Sequence, residues 1–266
     1  MNLLISDRVK KDVFVSIFQL IKSASSAVTL MFHEMELYIQ GMDHSHICLF
    51  EIRISAEWFQ EYVPPVGSDI PTFACINSAI FHQILSLHQE HHSIRLRYDA
   101  EDGGEWIHMD LLENKETKEK EGKYQKYFTI PLVDMDQPLL QIPDVEYDAD
   151  FSVRAKQMCD IASELLIFGD VMNIECSEDG ISISSEGITG KMKVEIPMDD
   201  LSEYSVAEGS MLKTSYSLRY FAKMCMTTKL SPEIAFGVSE QFPMRIRYDL
   251  GDNSQVLLFI APKFEE

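Results

Sequence analysis

Residues 37–54 read LYIQGMDHSHICLFEIRI, and residues 181–196 read ISISSEGITGKMKVEI. Each is a strand, a turn and a second strand in which apolar side chains alternate with polar ones, the period-2 pattern of a sheet with one dry face. A second pair of texts follows in the same order. SIRLRYDAEDGGEWIHMDL from Ser93 and MRIRYDLGDNSQVLLFIAP from Met244 share Arg-Tyr-Asp, with a glycine-containing turn after it in both. Likeness repeated in order along two halves of a chain predicts an internal duplication.

Between these hairpins, residues 7–24, 76–88, 153–168 and 216–227 carry the 3.6-residue apolar period of helices. In the first, Asp7 is the N-cap, Val9, Val13, Phe14, Ile17, Phe18 and Ile21 form the buried face, and Lys10, Lys11 and Lys22 fall off it. In the second, Ile80, Ile84, Leu85 and Leu87 form the apolar face. Strands are expected at 28–32, 36–40, 47–54, 93–98, 106–112, 126–131 and 151–153, then at 172–176, 180–184, 192–196, 233–238, 244–249 and 255–260. Helix, three strands, helix, then three or more strands, written twice, predicts an α+β protein of two duplicated domains. The expected boundaries are 1–130 and 148–266, joined by 131–147.

That joining stretch, PLVDMDQPLLQIPDVEY, holds three prolines and four acids, which excludes a central strand or a long helix and predicts an extended crossover. Residues 113–126, ENKETKEKEGKYQK, are almost wholly polar and predict a solvated hairpin tip.

The whole chain has 266 residues, 45% of them apolar, enough for two real cores, so disordered and disulfide-knot classes are excluded. With 23 basic against 43 acidic residues the formal charge is −20, so any contact with nucleic acid must use a local patch. The longest apolar run, 256–262, is far short of the roughly 18 residues that cross a bilayer, so no membrane partner is expected. The start, MNLLISDRVKKDVF, lacks the h-region of a secretory signal, and an intracellular protein is expected. The five scattered cysteines contain no CxxC pair and are expected to be reduced and mostly buried.

No catalytic motif survives inspection, and no enzyme, cofactor or metal is expected. GITGKM at 187–192 has two residues between its glycines and a Met after the Lys, where a phosphate loop needs four and a Ser or Thr. His88, His91 and His92 lack a thiolate or carboxylate to close a metal site. Asp134 with Asp136, and Asp99 with Glu101 and Asp102, stand in an expected crossover or turn, where acids are ordinary.

Three further segments carry a family resemblance: GMDHSHICL at Gly41, the crossover PLVDMDQPLLQIPDVEY, and the terminal VLLFIAPKFEE. They resemble the Met-Asp-x-Ser-His turn, the acidic interdomain connecting loop and the Ala-Pro-Lys tail of the eukaryotic-type DNA sliding clamp family, proliferating cell nuclear antigen. FGDVMNIECSEDGISISSEG at 168–187 and SYSLRYFAK at 215–223 add to the likeness. The chain is therefore similar, over nearly its full length, to a diverged cellular or viral member.

The resemblance implies a homotrimeric ring of six domains, helices inside and antiparallel sheets outside, that encircles duplex DNA without regard to sequence. It implies a processivity factor in replication and repair that tethers DNA polymerase and other clamp-binding proteins once an ATP-dependent loader has opened the ring, in the nucleus or at a cytoplasmic viral replication site. The phosphate-facing channel residues would be Lys10, Lys11, Lys22, Arg154, Lys156, Arg219, Lys223 and Lys229. The second helix departs from the family, with His82, Gln83 and His88 where lysines are usual, and the third has Asp160 and Ser163 at expected arginines. Partner peptides would enter a pocket formed by Met42, His46, Ile47, Leu140, Ile142, Pro143, Pro243, Phe259, Ala261 and Pro262, mostly apolar as an anchor pocket demands. Phe259 stands where many relatives have Tyr. The subunit interface would pair an edge strand bearing Tyr127 and Thr129 with one bearing Thr189, Lys191 and Lys193. Alternative readings are a subunit of a heterotrimeric checkpoint-type clamp and, from another class, an acidic DNA mimic or scaffold.

Overall fold

The computed structural model describes residues 1–64, 72–98, 104–113, 124–134, 139–207, 209 and 211–263. In the first half the order is β1 (Asn2–Ile5), α1 (Arg8–Ala24), β2 (Ala27–Phe32), β3 (Glu36–Met42), β4 (Cys48–Ser55), β5 (Glu61–Val63), β6 (Thr72–Asn77), α2 (Ser78–Leu85), β7 (His92–Arg97), β8 (Trp106–Glu113) and β9 (Lys126–Pro131). The second half repeats it: β10 (Ala149–Arg154), α3 (Ala155–Leu165), β11 (Val171–Ser177), β12 (Gly180–Gly187), β13 (Gly190–Pro197), β14 (Glu203–Val206), β15 (Leu212–Ser217), α4 (Leu218–Met224), β16 (Glu233–Val238), β17 (Met244–Gly251) and β18 (Ser254–Ile260). Even the 3₁₀ turns at Ala56–Trp58 and Met198–Asp200 correspond.

The strand order repeats as well. In the first half it is β5-β1-β7-β8-β9 and β4-β3-β2-β6; in the second it is β14-β10-β16-β17-β18 and β13-β12-β11-β15. The duplicated α+β reading holds. The chain packs as two compact units, one of Met1–Gly41, Glu51–Leu139 and Leu250–Gln255, the other of Met42–Phe50, Leu140–Asp249 and Val256–Glu266. Each half thus contributes a short segment to the other unit.

In the first unit α1 packs on α2. Asp7 caps α1 by accepting the Lys10 N–H, and Phe14 meets Phe18 edge-on at 5.1 Å, with Phe81 of α2 at 4.5 Å from Phe18. Each such buried ring contributes about 1.5–3 kcal/mol. In the second unit α3 packs on α4, and Phe236 of β16 stacks between Phe151 and Phe221 at 4.9 and 5.9 Å.

Several sequence expectations need correction. The buried face of α1 is rotated: Val9 is 68% exposed, whereas Lys11 is 1% exposed and is buried along with Phe14, Ile17 and Phe18. Ile80 on α2 is exposed rather than packed, and α2 ends at Leu85, so Leu87 lies exposed beyond it. The helix expected from Ile76 begins at Ser78, because residues 72–77 form β6, and β1, β5, β14 and β15 were likewise not anticipated. All are short or carry mixed polar residues, which masks their period. The paired Arg-Tyr-Asp texts are one strand out of step. By fold order β7–β8 corresponds to β16–β17, so Arg97 on β7 and Arg247 on β17 are not equivalent. Their likeness reflects the alternation that any strand with one wet face shares. The polar tip at 114–123, Asp136, and the acids Asp99, Glu101 and Asp102 lie outside the described residues.

In the second unit the Tyr147 ring lies against Gly237: a Cβ there would stand 2.7 Å from the ring. Arg245 covers the ring at 4.5 Å and donates to Asp150 at 2.9 Å. Gly237→Ala should lower the urea midpoint by the equivalent of about 1–3 kcal/mol, since the ring must leave its seat. Adding Tyr147→Ala should recover part of that loss; a double variant with strictly additive losses would show that the ring and the glycine do not compete for the same space.

Candidate functional site

The turn between β3 and β4 is organised by one carboxylate. Asp43 Oδ1 accepts the backbone N–H groups of Ile47 at 2.8 Å and Cys48 at 2.6 Å, while Oδ2 accepts the Ser45 N–H and the Tyr220 hydroxyl, both at 2.9 Å. An Asp followed by a Ser two residues on is the usual chemistry of such turns. The side chain is 5% exposed. Burial pulls its carboxyl upward, but four hydrogen bonds outweigh it and hold the group below its ordinary value. The turn sets His46 at φ 55°, in the left-handed region, with Nδ1 2.9 Å from Met42 Sδ.

The Ile47 carbonyl accepts the Ala261 N–H at 2.9 Å, Pro262 bridges Tyr216, and Lys263 N–H donates to the Ser215 carbonyl at 2.6 Å. Met42, His46, Ile47, Ala261 and Pro262 are thereby brought together. Leu140 and Pro143 are exposed and Ile142 is half-buried on the extended segment 139–147, Pro243 is exposed just before β17, and Phe259 is buried in β18. These five belong to the same compact unit as the turn. Asp43 and Tyr220 were not anticipated, although the Asp-x-Ser spacing was there to be read.

The basic residues divide by what they touch. Lys22 is exposed, with Nζ 3.4 Å from His82 Nδ1; burial, then the Lys22 charge, lowers the His82 pKa. Arg154 precedes α3 and Lys156 lies in its first turn, both exposed; Lys229 is exposed beyond α4, and exposed Lys223 lies 5.6 Å over the Tyr220 ring. None of these five has an acid partner among the described residues. Three others are committed elsewhere. Lys10 Nζ donates to the Trp58 carbonyl at 2.8 Å and to Asp252 at 2.6 Å. Arg219 holds Asp170 with two hydrogen bonds, at 2.9 and 3.3 Å. Lys11 is a correction: its ammonium donates to the Glu90 and His92 carbonyls beneath the surface, out of reach of any phosphate. Burial lowers its pKa. Arg8, which was not anticipated, is exposed but paired with Glu90 at 2.6 Å.

The strand edges are equally uneven. β6 ends one sheet, but Val133 N–H donates to the Cys75 carbonyl on its outer side; β15 ends another and is covered by residues 262–263. β9 and β13 end their sheets with one side unpaired among the described residues. Tyr127 is 65% exposed and Thr129 is exposed on β9. On the β12–β13 hairpin Thr189 Oγ1 donates to the Ile167 carbonyl, Lys191 pairs with Glu186 at 3.3 Å and Lys193 with Glu195 at 2.6 Å. No group of three His, Cys, Asp or Glu side chains is placed to hold a metal among the described residues. All five cysteines are free thiols, with Cys48, Cys176 and Cys225 buried.

Residues 6–138 match the family model described as proliferating cell nuclear antigen, N-terminal domain, and residues 141–263 match its C-terminal domain. The chain belongs to the proliferating cell nuclear antigen family. Among curated relatives it is 27% identical over 233 residues to the proliferating cell nuclear antigen of Chaetomium thermophilum, covering 85% of this chain and 84% of that protein. It is 22% identical over 263 residues to proliferating cell nuclear antigen 2 of Plasmodium falciparum, covering 96% and 97%. This member of the family is a sliding clamp of DNA replication, and the two family domains coincide with the two structural repeats.

Asp43 ties the clamp's turn to α4. Its folded pKa is depressed, so its contribution is present above the unfolded value near 4 and lost as pH falls through the folded value. Asp43→Asn should lower stability at neutral pH by about 1–3 kcal/mol and flatten the acid limb of stability against pH, read by chemical unfolding across that range. An acid limb unchanged in the variant would remove Asp43 from this role.

Proposed function

We propose that three copies of this clamp close head to tail into a ring around duplex DNA and tether polymerases and other replication and repair proteins to it. The observation that carries the reading is the pair of unpaired edges, β9 and β13. By fold order β9 corresponds to β18 and β13 to β4. Inside the second unit the start of β4 runs beside the end of β18, tied by the Ala261–Ile47 hydrogen bond. The same association between β9 of one copy and β13 of the next would satisfy both open edges. Because the joined surfaces differ, only ring closure prevents an open fibre. Tyr127 and Thr129 would face Thr189, Lys191 and Lys193 across that joint, with the lysines also held by their own Glu186 and Glu195.

In such a ring Lys22, Arg154, Lys156, Lys223 and Lys229 would serve as phosphate contacts, point charges that ignore sequence and let the ring slide. Lys10 and Arg219 bring charge already shared with an acid. The partner pocket is assigned to Met42, His46, Ile47, Ala261 and Pro262, with Leu140, Ile142, Pro143, Pro243 and Phe259 supplying further apolar surface. The clamp acts as a scaffold without chemistry of its own, is opened by an ATP-dependent loader, and works where the replication machinery is, in the nucleus for a cellular host.

Light scattering over a dilution series should give about 91 kDa, three times the 30.5 kDa chain; a persistent monomer would remove the self-closing ring. Leu140→Ala combined with Ile142→Ala should weaken a clamp-binding peptide by about 2 kcal/mol or more while leaving that mass unchanged. Undiminished peptide affinity would displace the pocket.

A further inference from the structure

We infer that His92 is a proton-sensitive latch on the start of β9, closed while its ring is neutral and opened by acid. Its effect on assembly rests on the reading that β9 joins copies of the chain; the latch itself is a property of one unit.

The His92 ring is 0% exposed and both of its nitrogens are in use. Nδ1 accepts the Gln89 backbone N–H at 3.0 Å. Nε2 lies 2.8 Å from the Tyr124 carbonyl oxygen, which can only accept, so Nε2 carries the single proton. The ring spans from the loop after α2 to the residues that lead into β9, and it is held there as one neutral tautomer.

The Tyr124 ring meets the His92 ring edge-on at 6.3 Å, and three cationic or titratable groups around it, Lys11, Lys126 and His91, disfavour a second proton. From α1, Lys11 donates to the carbonyls of Glu90 and His92. From β9, Lys126 donates to the Leu87 carbonyl at 2.8 Å and lies 5.2 Å over the Tyr124 ring. From the loop, the His91 ring is 4.2 Å away, and its Nε2 is buried without a partner. Asp7, Asp12 and Glu90 act on Lys11 and help keep it charged. A proton added at Nδ1 would point an N–H at the N–H of Gln89 and place a cation beside two ammonium groups in a site closed to water. The protonated ring must leave its seat, and the Tyr124 carbonyl then loses its donor. β9 begins two residues later, so its first pairs with β8, Lys126 with Leu111 and Tyr127 with Asp110, lose their anchor.

The sign follows from the buried neutral form. The open state binds the extra proton and the closed state does not, so closure strengthens as pH rises and is lost as pH falls below the ordinary histidine value of about 6.5. Burial, first, lowers the His92 pKa; the hydrogen bond to the Tyr124 carbonyl raises it in part, and the charges of His91, Lys126 and Lys11 lower it further, leaving the net direction downward.

The test compares the whole chain with His92→Gln, whose amide can donate to Tyr124 and accept from Gln89 but does not titrate. Amide exchange of residues 127–130, corrected for intrinsic rate and referenced to residues 107–111 of β8, is measured at about pH 7.5 and about pH 5.5. The unaltered chain should show a relative increase of about tenfold or more on acidification, and the variant less than about twofold. Equal responses, or none in the unaltered chain, would overturn the latch. Should the variant fold poorly, nitrogen NMR of the unaltered chain suffices: the His92 ring must be the Nε2–H tautomer near neutrality, and its protonation must coincide with the rise in β9 exchange. An Nδ1–H tautomer, or protonation without that rise, would overturn it. Light scattering in the same buffers separates the two readings. Loss of trimer mass at acid pH in the unaltered chain but not in the variant supports the coupling. A responsive β9 in a pH-independent trimer overturns the coupling alone, and a monomer at both pH values removes the ring but leaves the latch to the exchange data.

Discussion

A strand edge is a row of backbone donors and acceptors that must be paired, covered or met by water, and the rest of this structure follows from how its edges are handled. Each repeat builds two antiparallel sheets, and the chain leaving each repeat turns back to cover one of them: Val133 beside β6, Pro262 and Lys263 beside β15. That return is what sets the Ala-Pro-Lys tail next to the β3–β4 turn. β5 and β14 are too short, at three and four residues, to offer much. β9 and β13 remain, six and eight residues long, one in each repeat. These two open edges are the ones that the proposed head-to-tail joint would pair.

The second constraint is charge. A chain at −20 can hold a polyanion only where cations stand clear of acids, and few of its helix cations do. Lys10 and Arg219 are shared with Asp252 and Asp170, and Lys11 is buried to satisfy two loop carbonyls. The remaining five are thinly spread over α1, the end of β10, α3, α4 and the loop after α4. On the proposed reading the grip would be weak and salt-sensitive, and the hold on DNA would depend on closure rather than on adhesion.

Much of this was legible in the residues because it is written in short-range patterns. Phe14, Ile17, Phe18 and Ile21 announced α1, and Asp7 its start. Residues 126–131 and 233–238 were expected as strands over the same bounds that the strands have, Lys126–Pro131 and Glu233–Val238. The strands that lead into the helices were hidden, because residues such as Thr72 and Cys75, or Lys213 and Ser215, do not alternate by polarity. Lys11 was misjudged for a related reason: helical periodicity gives a face, but it cannot show that residues 79 and 81 positions further on offer carbonyls to a buried ammonium. The same limit separated the Arg-Tyr-Asp texts from their true counterparts, since an alternating strand resembles every other strand with one wet side.

What the sequence by itself determined is the duplication, the α+β class and the family likeness of the turn, crossover and tail, all of which are carried by contiguous residues and local backbone preference. What only the tertiary structure decided is which groups are already spoken for. Asp43 with Tyr220, Lys11 with His92, and Arg219 with Asp170 are separated by 177, 81 and 49 residues. Whether a cation is free, a histidine neutral or an edge open depends on contacts across such distances, and no local pattern contains them.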